Sequence, residues 1–288
     1  MSGAAILALG AAFCFALALI LTQFGLRTMP SWRSPLYSIG GALIVAWLAA
    51  ILFVDWSTFN LDAALIFAGV GCIFPVVVSI LGVRSNERLG PAVAGAVGNV
   101  TPIFAVLGAV LFLGERLGLL QLAGLAMVVG GVILLALRGG VGGRRWSVWV
   151  LGLPLAAALV RGAIQPAIKT GLVLWPEPLA AAAIGYALSS VVIVSLVGRR
   201  ALREGPAIRS GVLWFLAVGF ANGSANFLLY AALGLGSITV VAPLVSLFPL
   251  MGAVMSWIFL RGEQLHAIGL IGILVSVAGV ILLLLGGT

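Results

Sequence analysis

The chain has 288 residues, 63% hydrophobic and 8% charged, with a net charge of +8. Soluble domains carry about 25% charged residues, so this composition excludes a water-soluble enzyme or binding domain and points to membrane spans. The basic residues stand singly between apolar runs rather than in a stripe with aromatics, so the charge reads as topology signal and not as a nucleic-acid surface.

A helix crossing a ~30 Å hydrocarbon core needs about 20 mostly apolar residues, and only helices or closed barrels satisfy their backbone there. That rule predicts ten spans, at 4–26, 34–54, 61–83, 91–113, 118–138, 147–170, 178–198, 210–232, 237–260 and 266–285. Met1-Ser2-Gly3 offers no basic segment before the first span, which is therefore expected to be retained rather than cleaved. That span ends with Gln23 and Arg27, four residues apart. Cys14 and Cys72 lie inside apolar spans and read as small apolar fillers, not as a disulfide or a metal pair. The third span carries Pro75 and Ser79. The fourth carries Asn99 and Thr101 beside Pro102, and runs into the turn Gly114-Glu115-Arg116-Leu117.

A glycine-rich stretch, 139–146, follows the fifth span and divides the chain into a five-span unit at 1–138 and another at 147–288. The sixth span holds Arg161, Gln165 and Lys169 at intervals of four, between and beyond Pro154 and Pro166. The eighth holds Asn222, Asn226 and Tyr230 with the same spacing. In the ninth, Ser246 lies between Pro243 and Pro249, ahead of the turn Gly262-Glu263-Gln264-Leu265.

The second unit repeats the first. Glu115 answers to Glu263 at an offset of 148, and the closing 130–135 answers to 278–283 at the same offset. Pro102 answers to Pro249 at 147, while Gln23 and Arg27 answer to Gln165 and Lys169 at 142. Five spans per unit, an odd number, put the two units in opposite orientations. The expected fold is thus an all-α membrane protein of ten transmembrane helices, built as two inverted-topology five-helix repeats.

The paired turns, the prolines at 102 and 249 and the closing Gly131-Val132-Ile133-Leu134-Leu135 and Gly279-Val280-Ile281-Leu282-Leu283 resemble the ten-helix EamA-type branch of the drug/metabolite transporter superfamily. The resemblance implies export of amino acids and other small metabolites through a central cavity between the halves. Familiar members carry a basic cluster between spans two and three, with both termini inside. Here the residues from Asp55 to Asp62 contain no base.

Lys and Arg counts set the orientation expected for this chain. The odd-numbered connections hold twelve basic residues: Arg27, Arg33, Arg84, Arg88, Arg138, Arg144, Arg145, Arg199, Arg200, Arg203, Arg209 and Arg261. The even-numbered ones hold Arg116 and Lys169. Positive charge stays in the cytoplasm, so both termini are expected on the periplasmic side of a bacterial inner membrane.

Arg161 falls near mid-depth, where an arginine costs about 2.5–3.5 kcal/mol on insertion scales. Its role is either structural, a charge satisfied by carbonyls freed at Pro154 and Pro166 or snorkelling outward, or that of a cavity arginine that meets a substrate carboxylate. Gln23, Ser79, Asn99, Arg161, Gln165, Asn222, Asn226, Tyr230 and Ser246 are the candidate substrate-binding residues, because polar groups in hydrocarbon must face protein or a wet cavity. Interhelical hydrogen bonding is the other reading for the asparagines, and interfacial anchoring for Arg27 and Lys169. Glu115 and Glu263 are expected to accept donors from the start of the helix that follows each.

No catalytic residue, metal or cofactor is expected. His266 is the only histidine, no His, Cys or carboxylate pair falls at ligand spacing within a span, and no Walker-type phosphate loop is present. The expected partners are a small-molecule substrate and the lipid bilayer, with no ATPase subunit. All seven acids fall in or beside connections, so direct proton coupling is not expected. A lipid-linked-substrate flippase, and a membrane receptor or assembly subunit that carries nothing, are the alternatives to an exporter.

Overall fold

Apolar runs of this length leave the backbone one way to satisfy itself in lipid, and the computed structural model is correspondingly helical. It describes residues 3–89, 98, 100–137, 148–259 and 267–286, with no strand among them. Asn99, Glu263, His266 and the 139–146 linker lie outside the described residues. The helices are α1 Gly3–Gly25, α2 Ser34–Phe53, α3 Leu61–Ile73, α4 Val76–Leu89, α5 Thr101–Leu113 and α6 Leu119–Leu137 in the first half. The second half contributes α7 Val148–Leu174, α8 Pro178–Arg203, α9 Arg209–Leu235, α10 Ile238–Val245, α11 Phe248–Phe259 and α12 Ala267–Gly286.

Among the described residues, six segments are long and apolar enough to cross a membrane, and four shorter apolar helices accompany them. Large apolar side chains such as Phe53, Leu111, Phe112 and Trp149 point outward, as lipid requires. This is a multi-pass integral membrane protein.

Among the described residues, the third and ninth predicted spans are interrupted. The third breaks between α3 and α4 at a cis Phe74–Pro75 peptide. Proline has no N–H to give the carbonyl four residues back. Ser189 of α8, fully buried, donates its hydroxyl to Gly71 O at 2.6 Å and to Phe74 O at 3.1 Å instead. The ninth span breaks at Ser246 and Leu247, between α10 and α11. α5 and α11 start at repeat-equivalent positions, Thr101 and Phe248, each with a proline one residue on, where a missing N–H costs nothing.

The packing is repeated as the sequence is. α1 lies against α9 and α11, as α7 lies against α3, α4 and α5; α2 packs on α9 as α8 packs on α3. α6 and α12, equivalent to each other, form the most extensive helix pair. At their crossing a Cβ on Gly124 would stand 2.7 Å from Gly279 O, and one on Gly279 would stand 2.8 Å from Gly124 O. One turn pair away, Gly131 meets Gly272 in the same manner. Backbones this close tolerate no side chain.

The two ends of the bundle differ in chemistry. At one, the turn after α1 meets the end of α8: buried Arg33 donates from Nη2 to Gly205 O at 2.5 Å, and Arg200 sits 4.1 Å from the Trp32 ring. At the other end, Trp47, Trp56 and Trp175 stack edge and face, and Trp175 Nε1 donates to Thr58 Oγ1 at 3.0 Å. Gly3 near Leu235 and Gly286 near Gln121 bring both ends of the described chain to this second face, which also carries Glu115.

A central cavity with one arginine, and a transporter family

The helix breaks converge. Phe74 at the α3–α4 break, Thr101 at the start of α5, and Ser246 and Phe248 at the α10–α11 break all line one cavity. Phe15 of α1, four residues of α7, Leu229 and Tyr230 of α9 and Ala242 and Val245 of α10 complete its walls. The cavity's volume is about 20 Å³. One water needs about 10–15 Å³ by this measure, so the cavity as it stands has room for little more than a water.

Arg161 supplies the charge of this cavity. Its guanidinium carbon stands 5.8 Å from the ring centroids of both Phe15 and Phe248, so two aromatic faces hold the cation from opposite repeats. Among the described residues it meets no carboxylate. The carbonyls freed by Pro154 and Pro166, offered by the sequence as its partners, receive no hydrogen bond from it. One turn further along α7, Gln165 is 4% exposed and its Oε1 has no hydrogen-bond partner. An unpaired guanidinium and an unmet amide oxygen on one wall make a polar seat in an otherwise apolar chamber.

Of the nine candidates, Arg161, Gln165, Tyr230 and Ser246 line the cavity. Ser246 Oγ already donates to Pro243 O at 2.6 Å. Gln23, Ser79, Asn222 and Asn226 are not among its lining residues, and Asn99 lies outside the described residues. Gln23 is eight residues beyond Phe15, about 12 Å along α1, so the α1 stripe faces the turn region and Arg27 lies exposed over the Phe24 ring at 5.3 Å. Asn226 serves interhelical bonding: its Nδ2 donates to Tyr186 OH at 2.7 Å and to Asn222 O at 3.0 Å. Ser79 sits half-buried on α4, its amide bonded to Pro75 O. Sequence reasoning missed Phe15, Phe74, Phe248, Tyr186 and Ser189. Only the last two carry a polar signal, a lone tyrosine and a serine in the apolar seventh span.

Glu115 accepts donors from a helix start, but not the next one. Gln121 Oε1 takes the Gly118 amide at the head of α6, and the left-handed Gly114 turns the chain away at φ 66°. Glu115 reaches instead to α10, where Ile238 N and Thr239 N donate to its two oxygens at 3.0 Å each. Lys169 Nζ, expected as an interfacial anchor, donates to Glu115 Oε1 and to Gly236 O, both at 2.8 Å. Burial pushes the Glu115 carboxyl up, but the Lys169 ammonium and the two amides outweigh it and hold it below the usual range.

The sequence profile of the EamA-like transporter family matches residues 2–137 and, a second time, 147–285. The chain belongs to the EamA-like transporter family. Its substrate is accordingly a small molecule and its setting the lipid bilayer. A curated relative from Streptantibioticus cattleyicolor, described as a probable terminal-alkyne amino-acid exporter, is 41% identical over 70 residues; the match spans 24% of this chain and 23% of that protein. A crystal structure with 17% sequence identity superposes on 98% of this chain and 97% of its own with a TM-score of 0.77, a likeness of fold.

Proposed function

We propose that this EamA-family protein exports small organic solutes, amino acids or related metabolites, by alternating access through the central cavity. The observation that carries the reading is Arg161, held by Phe15 and Phe248 in the cavity with no carboxylate beside it among the described residues. A cation placed this way fits a carboxylate-bearing guest, and the apolar walls fit its side chain. The amino-acid export named for the Streptantibioticus relative agrees with that chemistry.

The α6–α12 crossing supports inverted repeats. Contacts pair Gly124 with Gly279 and Gly131 with Gly272, so ascending numbers on one helix meet descending numbers on the other. Two antiparallel, equivalent helices are exchanged by a two-fold axis perpendicular to both, that is, one lying in the membrane plane. The units 1–138 and 147–288 are the halves so related. With the basic connections cytoplasmic, the Glu115 end and both termini face the periplasm of a bacterial inner membrane.

No carboxylate lines the cavity among the described residues, and an arginine stays protonated and relays nothing. Transport is therefore downhill or by exchange, without direct proton coupling and without an ATPase partner. The test is counterflow in proteoliposomes over a panel of amino acids, their amides and decarboxylated analogues, with and without an imposed pH gradient. Exchange of carboxylate-bearing solutes in both conditions is expected. Lipid scrambling without solute exchange would make the protein a flippase, and uphill accumulation driven by the pH gradient alone would overturn the coupling.

A further inference from the structure

The residues around Glu115 join three chain segments that sequence keeps far apart. Glu115 itself sits in the turn after α5, Lys169 belongs to α7, and Gly236, Ile238 and Thr239 belong to the turn into α10. These are helices that also wall the cavity: α5 through Thr101, α7 through Arg161, Gln165 and Ile168, α10 through Val245. Lys169 directly follows the lining residue Ile168, and lies about 12 Å along α7 from Arg161. The tie thus lies beyond the lining residues Ile168 and Val245, towards the Glu115 end of the bundle.

Its chemistry suits a bond made and broken repeatedly. Four hydrogen bonds of 2.8–3.0 Å hold it, all with at least one charged partner. The Glu115 and Lys169 side chains are 13% and 22% exposed, so water stands ready to replace each partner when the segments part. Ser237, the residue before α10, makes no side-chain cap, so Glu115 is what satisfies and neutralises the positive end of that helix. When the tie opens, α10 loses its cap and the α9–α10 turn loses its anchor together.

We propose that the Glu115–Lys169 pair, with its bonds to Gly236, Ile238 and Thr239, is the gate that closes the cavity at its Glu115 end. The proposal rests on the transporter reading, since a gate has meaning only in a protein that opens. Parting α5 and α7 from α10 at this end requires that the three bonds to Gly236, Ile238 and Thr239 break, whereas separation at the Arg33 end leaves them intact.

The experiment uses the full-length chain with Cys14 and Cys72 replaced by alanine and a reporter, Val245→Cys, on the cavity wall, reconstituted with the Glu115 end outward. Labelling by a membrane-impermeant maleimide should be about tenfold faster in Glu115→Gln and in Lys169→Met than in the parent. Arg27→Ala, which removes the repeat-equivalent base at the opposite end, should leave that rate unchanged. In Glu115→Cys combined with Thr239→Cys, without the reporter, a reversible thiol crosslink from the turn after α5 to α10 should stop solute exchange and reductant should restore it. Unchanged labelling in both single variants, or undiminished exchange in the crosslinked protein, overturns the gate. Labelling needs no substrate, so an altered rate alongside absent exchange in the parent would refute the transport reading while leaving the closure assigned.

Discussion

The hydroxyl of Ser189 donates to the carbonyl of Gly71 at 2.6 Å, from one half of the chain into the break that Pro75 makes in the other. It is fully buried, so removing it leaves a carbonyl with neither helix nor water to meet it. Ser189→Ala is expected to cost about 1–3 kcal/mol. Thermal unfolding in detergent checks this: a midpoint equal to that of the parent would mean that Phe74 and Gly71 find other donors.

Glycines along α6 should respond unequally to the same small change. Gly124→Ala and Gly279→Ala each drive a methyl into the backbone of the facing helix, and overpacking of this kind costs about 1–3 kcal/mol. Gly130 has nothing within 4 Å of an added Cβ. Gly130→Ala should be neutral or stabilising, by up to about 1 kcal/mol, because alanine is the better helix former. Comparable losses at Gly124 and Gly130 in the same unfolding assay would count against a crossing this close.

Arg161 should govern what is carried rather than whether the protein folds. Arg161→Ala is expected to lower exchange of carboxylate-bearing solutes about tenfold or more, the effect of some 1.4 kcal/mol of lost attraction, and to spare neutral analogues. Counterflow with matched acid and amide pairs reads the difference. Equal loss for both members of each pair would leave the guanidinium only its ring contacts with Phe15 and Phe248.

The Glu115 carboxyl titrates below its ordinary range because Lys169 and the amides of Ile238 and Thr239 favour the anion. A depressed carboxylate contributes stability that is present above the unfolded-state value, about 4.3 for glutamate, and lost as pH falls through the lower folded value. The contribution should therefore be constant from about pH 5 upward. Parent and Glu115→Gln should differ in unfolding midpoint by the same amount at neutral and mildly acidic pH, and converge only in strong acid. Convergence already near pH 6 would contradict the depressed value.

The orientation proposed above rests on the Lys and Arg count of the connections. Alkaline phosphatase fused after Thr288 should be active and a green fluorescent fusion dark. A bright fluorescent fusion would place the Glu115 end in the cytoplasm and reverse the direction in which its closure acts.

Much of the architecture lay open in the amino-acid sequence, because lipid leaves a backbone so few choices. Apolar runs near 20 residues had to be helices, the prolines at 102 and 249 marked two spans at matching places, and the offsets of 147 and 148 announced a repeat. Arg161 was legible too, since a charge at that depth is costly wherever it points. What tertiary structure alone decided was facing and partnership. Spans that are apolar all round carry no stripe to say which side turns inward, so Phe15 and not Gln23 represents α1 at the cavity. As sequence alone the third span reads as one helix, since a proline in an apolar run does not say that Ser189, 118 residues away from Gly71, will satisfy the break. Glu115 likewise reads as serving its own neighbour. Its donors came from Lys169 and from a helix 123 residues on, because a carboxylate's partner is set by which segments the fold brings within 3 Å, a distance that separation along the chain does not encode.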